Sequence, residues 1–204
     1  QAPVFSHIFN PEVNVLEALT YLEMCLWEDS KRAVDKFYSV YEKPLGKLRE
    51  IQSKLGKNYK AYYLLAKKML KSNLPTDKIL NKMFSSIIKD PAFLEMYDSF
   101  YKGGAELERV KSLRSSRFKK FLIRNIRESL ILQRDLIGAY FRKNMDFYFN
   151  LISKNLVDMS YIKLEVLSRL RKEILSDDDQ SSLERKRGDI KYLRRNEKQY
   201  FWSF

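Results

Sequence analysis

The chain has 204 residues, of which 45% are hydrophobic and 14% aromatic, and this composition excludes a disordered tail because it supplies enough apolar surface for a folded core. Six glycines and five prolines are too few for a turn-rich all-β protein, so an all-α fold is predicted. The formal net charge of +13 makes nucleic acid, an anionic membrane surface and an acidic protein the candidate partners, although mixed-sign charge runs are equally typical of a solvated surface.

The first predicted elements are two helices joined by a short link. Asn10 and Pro11 provide an N-cap and a first helical residue. Apolar residues at helical spacing give the first helix an inward face: Val15, Leu19, Leu22 and Leu26. The inward residues of the second helix are Val34, Phe37, Val40 and Tyr41. We expect Pro44 and Gly46 to end the second helix, and a link confined to 26–29 would make the two helices antiparallel neighbours.

Three further helices are predicted before the middle of the chain. The segments 58–70 and 76–88 have helical patterns, and the Asp90-Pro91 pair marks the start of the next helix. We expect the Gly103-Gly104 pair to kink or break that helix.

The second half of the chain predicts one long amphipathic helix, or two nearly collinear ones, after a break at 112–116. Its inward residues step mostly by three or four positions: Leu122, Ile126, Leu130, Ile137, Phe141, Met145, Tyr148, Ile152, Leu156, Met159, Ile162, Val166, Leu170 and Ile174. Such a helix needs a coiled-coil neighbour or a partner. The acidic run 176–180 predicts a turn. A capping box at Ser181 and Glu184 then starts a last helix that folds back along the long one. The alternative is a helix that continues straight through.

The first helix pair resembles a tetratricopeptide repeat, a helix–turn–helix of about 34 residues. Ala18 and Ser30 fall where that family places small residues between its helices, and Tyr21 and Trp27 fall on its aromatic positions. The resemblance implies an all-α protein with antiparallel helix pairs, followed here by a long coiled-coil-like helix or helical hairpin.

The resemblance can be narrowed. The run "NPEVNVLEALTYLEMCLWEDSKRAVDKFYSVYEKP", the basic long helix and the final "QYFWSF" are similar to large tetratricopeptide proteins of predatory and gliding bacteria. This implies a scaffold exported to the cell envelope or periplasm, with the cytoplasm as the alternative. Both ends of the chain are apolar, so we expect a piece of a longer protein with two domains, a helical array over 1–114 and a basic helical segment over 115–204.

The sequence predicts no catalytic residue. His7 is the single histidine, and Cys25, the single cysteine, is expected to be a buried structural thiol. Asp177, Asp178 and Asp179 lack the glycine turn and terminal glutamate of a calcium loop, so a solvated turn is expected. Because no phosphate-binding or metal-binding motif occurs, we expect no enzyme activity, no cofactor and no metal.

Two interaction surfaces are predicted instead. The resemblance implies a partner-binding groove on the first helix, lined by Glu12, Val15, Leu19, Leu22 and Glu23. The alternative is that the next helix pair, or upstream repeats, cover this face. A basic patch is formed by Arg114, Arg117, Lys119, Lys120, Arg124 and Arg127.

The predicted function is therefore a non-catalytic scaffold that binds other proteins, envelope components by the resemblance, and has no small-molecule substrate. The alternative is a basic helical protein that binds nucleic acid or an anionic membrane surface. Oligonucleotide binding that falls steeply with salt would favour nucleic acid.

Overall fold

Six α-helices make up the part of the chain that the computed structural model describes: residues 9–71 and 75–200 for the backbone, and the same ranges up to 174 for the side chains. In chain order the helices are α1 (Glu12–Glu23), α2 (Trp27–Leu55), α3 (Tyr59–Leu70), α4 (Lys78–Ile88), α5 (Pro91–Ser112) and α6 (Arg117–Tyr200). These described ranges contain no strand, so the predicted all-α class is confirmed. The tetratricopeptide-like pairing and the coiled coil stay predictions.

Polar side chains cap the first turns of α3, α4 and α5. Asn58, Asp77 and Asp90 each accept a hydrogen bond from a backbone amide of the turn that follows, at 3.1, 3.1 and 2.8 Å. Since the first amides of a helix have no partner within it, these caps fix where each helix starts. The three starts lie close to the positions predicted from the sequence.

The prediction that Pro44 and Gly46 end the second helix is wrong. α2 runs through both residues and is followed by Gly56, whose φ of +53° is a conformation that glycine adopts without strain. Pro44 is itself buried, and Leu45 and Leu48 beyond it belong to the core. Burial of these side chains offsets the roughly 3 kcal/mol that a proline inside a helix costs.

The Gly103-Gly104 pair does not break α5. A Cβ atom added at Gly103 would lie 3.1 Å from Cδ2 of Leu130 in α6, so this glycine allows the two helices to approach closely. The predicted break at 112–116 is confirmed by the end of α5 and the start of α6 on either side of it.

α6 is continuous to Tyr200, so the turn predicted at 176–180 and the folded-back last helix are wrong, and the alternative of one continuous helix is confirmed. Residues 176–200 contain no proline, and their single glycine, Gly188, costs only about 1 kcal/mol in a helix. The side chains of the acidic run and of the capping box at 181–184 lie outside the described part of the chain, as do residues 201–204.

The inward face predicted for the long helix largely matches the buried face of α6. Its most deeply buried members are Ile137, Phe141, Met145, Ile152, Met159 and Val166. Ile174 is the exception, because 62% of its surface is exposed. It lies beyond Glu173, whose carboxylate reaches Trp27 of α2, and its side chain faces solvent.

The contacts divide the chain into two compact units. The first unit consists of Gln1–Asn14 and Lys36–Val157, and the second of Val15–Asp35 and Asp158–Phe204. The domain division at residues 114 and 115 stays a prediction.

The first unit has an aromatic core. The rings of Phe84 in α4 and Phe141 in α6 stack with their centroids 5.8 Å apart, and Tyr62 and Phe93 are buried beside them. α6 reaches the start of α3 through Gly138, where an added Cβ atom would lie 2.0 Å from the carbonyl oxygen of Tyr59. This core fixes which face of α6 is covered and which is left in solvent.

The second unit is built around small residues where α1 meets α2. Ala18 and Ser30 are fully buried, and the Ser30 hydroxyl donates a hydrogen bond to the carbonyl oxygen of Ala18 at 2.8 Å. Val34 of α2 and Met159 of α6 are also fully buried. The two small residues are therefore in direct contact between α1 and α2.

Candidate functional site

The predicted groove residues of α1 belong to both units, and the groove itself stays a prediction. Glu12 lies in the first unit, and Val15, Leu19, Leu22 and Glu23 lie in the second. Glu12, Glu23 and Leu19, which is 39% exposed, face solvent, while Val15 and Leu22 are half-buried.

The inward face predicted for α1 is wrong at Leu19 and Leu26, two of its four positions. Leu26, predicted as its last member, is 40% exposed and lies in the turn after α1, and Val40, predicted to face inward from α2, is 36% exposed. Ala18 is the residue of α1 that is buried, because the close contact with Ser30 sets which side of the helix faces α2.

Leu22 and Glu23 line a cavity of about 350 Å³ in the second unit, with Cys25, Trp27, Glu165 and Arg169 on the other walls. The polar groups around it are engaged with one another. The indole nitrogen of Trp27 donates to Glu173 at 2.7 Å, and Nε of Arg169 donates to Glu165 at 2.7 Å. The Arg169 guanidinium also lies 5.9 Å from the centre of the Trp27 ring, a cation–π distance.

The prediction that Cys25 is a buried thiol is wrong. Cys25 is exposed, and its φ of 58° places it in the left-handed region. The reason is that α1 ends at Glu23, so Cys25 belongs to the turn between α1 and α2 and not to a helix interior.

The basic patch lies in the first unit, across the turn between α5 and α6. Lys119 is half-buried, and its ammonium group donates hydrogen bonds to the carbonyl oxygens of Lys111 and Leu113 at 2.7 and 2.6 Å. It therefore caps the carboxyl end of α5. Arg124 pairs with Glu128 one turn further along α6, at 2.9 Å.

The other members of the basic patch neither cap a helix nor form an ion pair among the described residues. Arg114, Arg117, Lys120 and Arg127 are exposed, and no ion pair joins any of them to an acidic side chain in the described ranges. Arg109 at the end of α5 is exposed in the same way. We call residues 109–127 the basic tip; they include eight basic and no acidic residues.

A second surface, not predicted from the sequence, is the outer face of α6. Because successive residues step about 100° around a helix, twelve positions of the first unit fall on one arc of roughly 80°, away from the buried residues. They are Phe118, Phe121, Asn125, Ser129, Leu132, Leu136, Ala139, Lys143, Phe147, Asn150, Lys154 and Val157. All are exposed except Ala139, which is half-buried, and none is acidic.

The middle of this face is apolar with isolated cations. Leu132, Leu136 and Phe147 are 71%, 58% and 59% exposed. Lys143 and Lys154 lie on the same arc, are exposed, and form no ion pair with an acidic side chain among the described residues. We call these five residues the central stripe. In the sequence, the central stripe shows as a second set of apolar residues on the long helix, Leu132, Leu136 and Phe147, spaced by four and eleven residues. They lie on a different side of the helix from the buried apolar residues.

A cavity of about 790 Å³ lies in the first unit and is bordered by α4 and α6. Lys78, Lys82 and Ser85 of α4 line it together with Tyr148 of α6. Burial raises the pKa of the Tyr148 hydroxyl above its usual value, and a hydrogen bond with Ser86 only partly opposes this. The tyrosine is therefore neutral at physiological pH, and the wall offers ammonium and hydroxyl groups.

His7 and the side chains of Asp177, Asp178 and Asp179 lie outside the described residues. In the ranges that the structure does describe, no group of three or more His, Cys, Asp or Glu side chains could hold a metal ion. None of the described helical stretches combines the length and the low charge that crossing a lipid bilayer requires.

Comparison of the chain with protein-family models, with curated proteins and with solved structures finds no match.

Proposed function

We propose that this protein is a non-catalytic helical scaffold that binds another protein by helix-to-helix packing. The observation that carries the proposal is the central stripe, where three large apolar side chains stand in solvent on the face of α6 opposite the core. Exposed apolar surface of this kind, in a row along one helix, is typical of interaction sites.

The chemistry of the central stripe specifies the partner. Leu132, Leu136 and Phe147 offer anchors at helical spacing, which fit the apolar side of an amphipathic helix. Lys143 and Lys154 stand between and beyond them without acidic neighbours on the same arc. The proposed partner is therefore an amphipathic helix whose apolar face carries or is flanked by acidic residues.

The expected affinity is moderate. Burying each anchor contributes about 1.5–3 kcal/mol, and association and side-chain ordering consume a large part of the sum. Two charge pairs with the lysines add specificity and salt dependence more than affinity.

A comparative capture experiment tests the proposal. The bait is this chain, used to recover proteins from its native host, with Leu136→Asp/Phe147→Asp as the stripe variant. The matched control is Leu64→Asp, because Leu64 is a similarly exposed leucine on α3, with 52% of its surface accessible. A specific partner should be recovered by the wild type and the control and lost with the stripe variant.

The recovered partner must then bind in purified form. We expect the stripe variant to weaken the dissociation constant at least about tenfold, and added salt to weaken wild-type binding. A partner that binds all three forms equally would contradict the assignment to the central stripe. Turnover of a small molecule by the purified chain would contradict the non-catalytic role.

The sequence resemblance adds a location to the proposal, the envelope or periplasm of a bacterium, with the cytoplasm as the alternative. Fractionation of native cells, followed with an antibody to this chain, tests it. Recovery of the protein together with cytoplasmic enzymes after selective release of the periplasm would contradict an envelope location.

A further inference from the structure

The basic tip carries large apolar side chains as well as cations. Leu113 in the turn is 54% exposed, and Phe118 and Phe121 in the first turns of α6 are 68% and 58% exposed. All three lie within nine residues of one another and outside the core of the first unit. Exposing large apolar groups to water costs free energy, so their clustering indicates a ligand with an apolar region.

The cations of the basic tip are available to the same ligand. Lys119 is engaged with the end of α5 and Arg124 with Glu128, whereas Arg114, Arg117, Lys120 and Arg127 have no acidic partner in the described part of the chain. Unpaired positive charges this close together repel one another. An anionic ligand relieves that repulsion.

The helix separates the two kinds of side chain. Around the axis of α6, Phe118 and Phe121 project within roughly 60° of each other, and Arg117, Lys120 and Arg127 occupy the adjoining arc of roughly 80°. An apolar arc beside a basic arc is the pattern of a helix that lies at the boundary between lipid headgroups and acyl chains.

We propose that the basic tip docks on the surface of an anionic lipid bilayer. Leu113, Phe118 and Phe121 enter the boundary between headgroups and acyl chains, and the four unpaired cations contact lipid phosphates and carboxylates. A lipid surface fits better than nucleic acid, because Leu113 offers no ring to stack on a base and the outer face continues with aliphatic residues. This inference does not rest on the proposed protein partner, whose site is the central stripe.

Vesicle co-sedimentation with the full chain tests the proposal. Vesicles of phosphatidylcholine containing about one third phosphatidylserine are compared with vesicles of phosphatidylcholine alone. Binding should require the anionic lipid and should fall as salt is raised from about 0.05 to 0.5 M. Since one cation near such a surface contributes about fivefold in affinity, the four unpaired cations together contribute roughly six-hundredfold.

The charge variant is Arg114→Gln/Arg117→Gln/Lys120→Gln/Arg127→Gln, which should weaken vesicle binding at least about thirtyfold. A control of equal net charge removes four lysines elsewhere in the first unit: Lys43→Gln, Lys57→Gln, Lys60→Gln and Lys68→Gln, all at exposed positions. The control should weaken binding no more than about threefold. Equal losses in the two variants would mean that only net charge matters, and would overturn the proposal.

The aromatic residues provide an independent variant pair. Phe118→Ser/Phe121→Ser should weaken vesicle binding about tenfold, and Phe118→Leu/Phe121→Leu should retain it within about threefold, because lipid insertion needs apolar surface and not a ring. All of these positions are exposed, and circular dichroism of each variant checks that its fold is kept.

Three other outcomes would each overturn the proposal. One is binding to neutral vesicles as strong as to anionic ones. Another is tight binding of oligonucleotides by the wild type that is lost in Phe118→Leu/Phe121→Leu. This result would mean that the two rings stack on bases. The third is self-association of the chain that depends on Phe118 and Phe121 in the absence of lipid.

Discussion

At Gly138, α6 lies close to the backbone of α3, and replacement of this glycine by alanine should destabilise the protein. A Cβ atom at this position would lie 2.0 Å from the carbonyl oxygen and 2.7 Å from the carbonyl carbon of Tyr59. Real Cβ atoms essentially never come within 3.0 Å of such neighbours. The obstacle is backbone, so no side-chain rotation can relieve it.

The magnitude follows from two opposing terms. The start of α3 must move by about 1 Å, against Tyr62, Ile137 and Phe141, which are at most 2% exposed and cannot yield easily, so the cost lies near the upper end of the roughly 1–3 kcal/mol typical of overpacking. Alanine inside a helix regains about 1 kcal/mol relative to glycine. The net loss is then about 2 kcal/mol, which lowers the melting temperature by roughly 4–8 °C.

Differential scanning calorimetry of Gly138→Ala beside the wild type measures this loss. The matched control is Gly46→Ala, because Gly46 also lies inside a helix but a Cβ atom there would meet nothing within 4 Å. The control should gain up to about 1 kcal/mol and melt higher than the wild type. If Gly138→Ala is as stable as Gly46→Ala, then α6 does not press on the start of α3 and the reasoning fails.

Two further predictions concern single side chains. Partial burial of the Asp77 carboxyl opposes its ionisation, but hydrogen bonds from Lys47 and from two backbone amides outweigh this effect and lower its pKa below the usual 3.8. Asp77→Ala should therefore lower the free energy of unfolding by about 1 kcal/mol at neutral pH. Because a lowered pKa stabilises the fold only while the group is ionised, urea titrations should find this cost constant down to about pH 4 and shrinking below it, and a cost that grows on acidification would contradict the assignment. Ser30→Ala should cost about 1 kcal/mol by losing one buried hydrogen bond, whereas Ser30→Leu should cost on the order of 3 kcal/mol or more by forcing α1 and α2 apart. Urea unfolding followed by Trp27 fluorescence in a Trp202→Phe background measures the difference, and equal stability of the two variants would refute a tight contact.

Much of the fold could be predicted from local signals. Asn58 and the Asp90-Pro91 pair mark helix starts through groups that lie within one turn of each other, so no distant contact is needed to interpret them. The resemblance to a tetratricopeptide repeat places Ala18 and Ser30 between two helices, and the structure has a hydrogen bond between them. The periodicity of the long helix likewise identified its buried face.

Tertiary packing decided what local signals could not. Pro44 is a helix breaker by its own chemistry, and only the burial of Leu45 and Leu48 keeps α2 continuous beyond it. The link predicted at 26–29 begins one residue after Cys25, but the sequence has no glycine there to mark a left-handed residue, and the conformation of Cys25 depends on how α1 and α2 meet.

The two candidate surfaces were also only partly predictable from local sequence signals. Charge density identified the basic tip, but only the coordinates distinguish Lys119, which caps α5, from Arg117 and Lys120, which face solvent. The central stripe was missed because its apolar residues lie between those of the buried face in the sequence, and a search for one inward face passes over a second one.

The exposed position of Cys25 has a practical consequence. As the single cysteine of the chain, it gives the unmodified protein one attachment point for a maleimide dye, two residues from Trp27. Titrating vesicles or a partner helix against such a conjugate would report on the turn between α1 and α2 with every native side chain except that thiol intact. An exposed thiol is open to oxidation, so a reductant belongs in every buffer used to measure mass or stoichiometry.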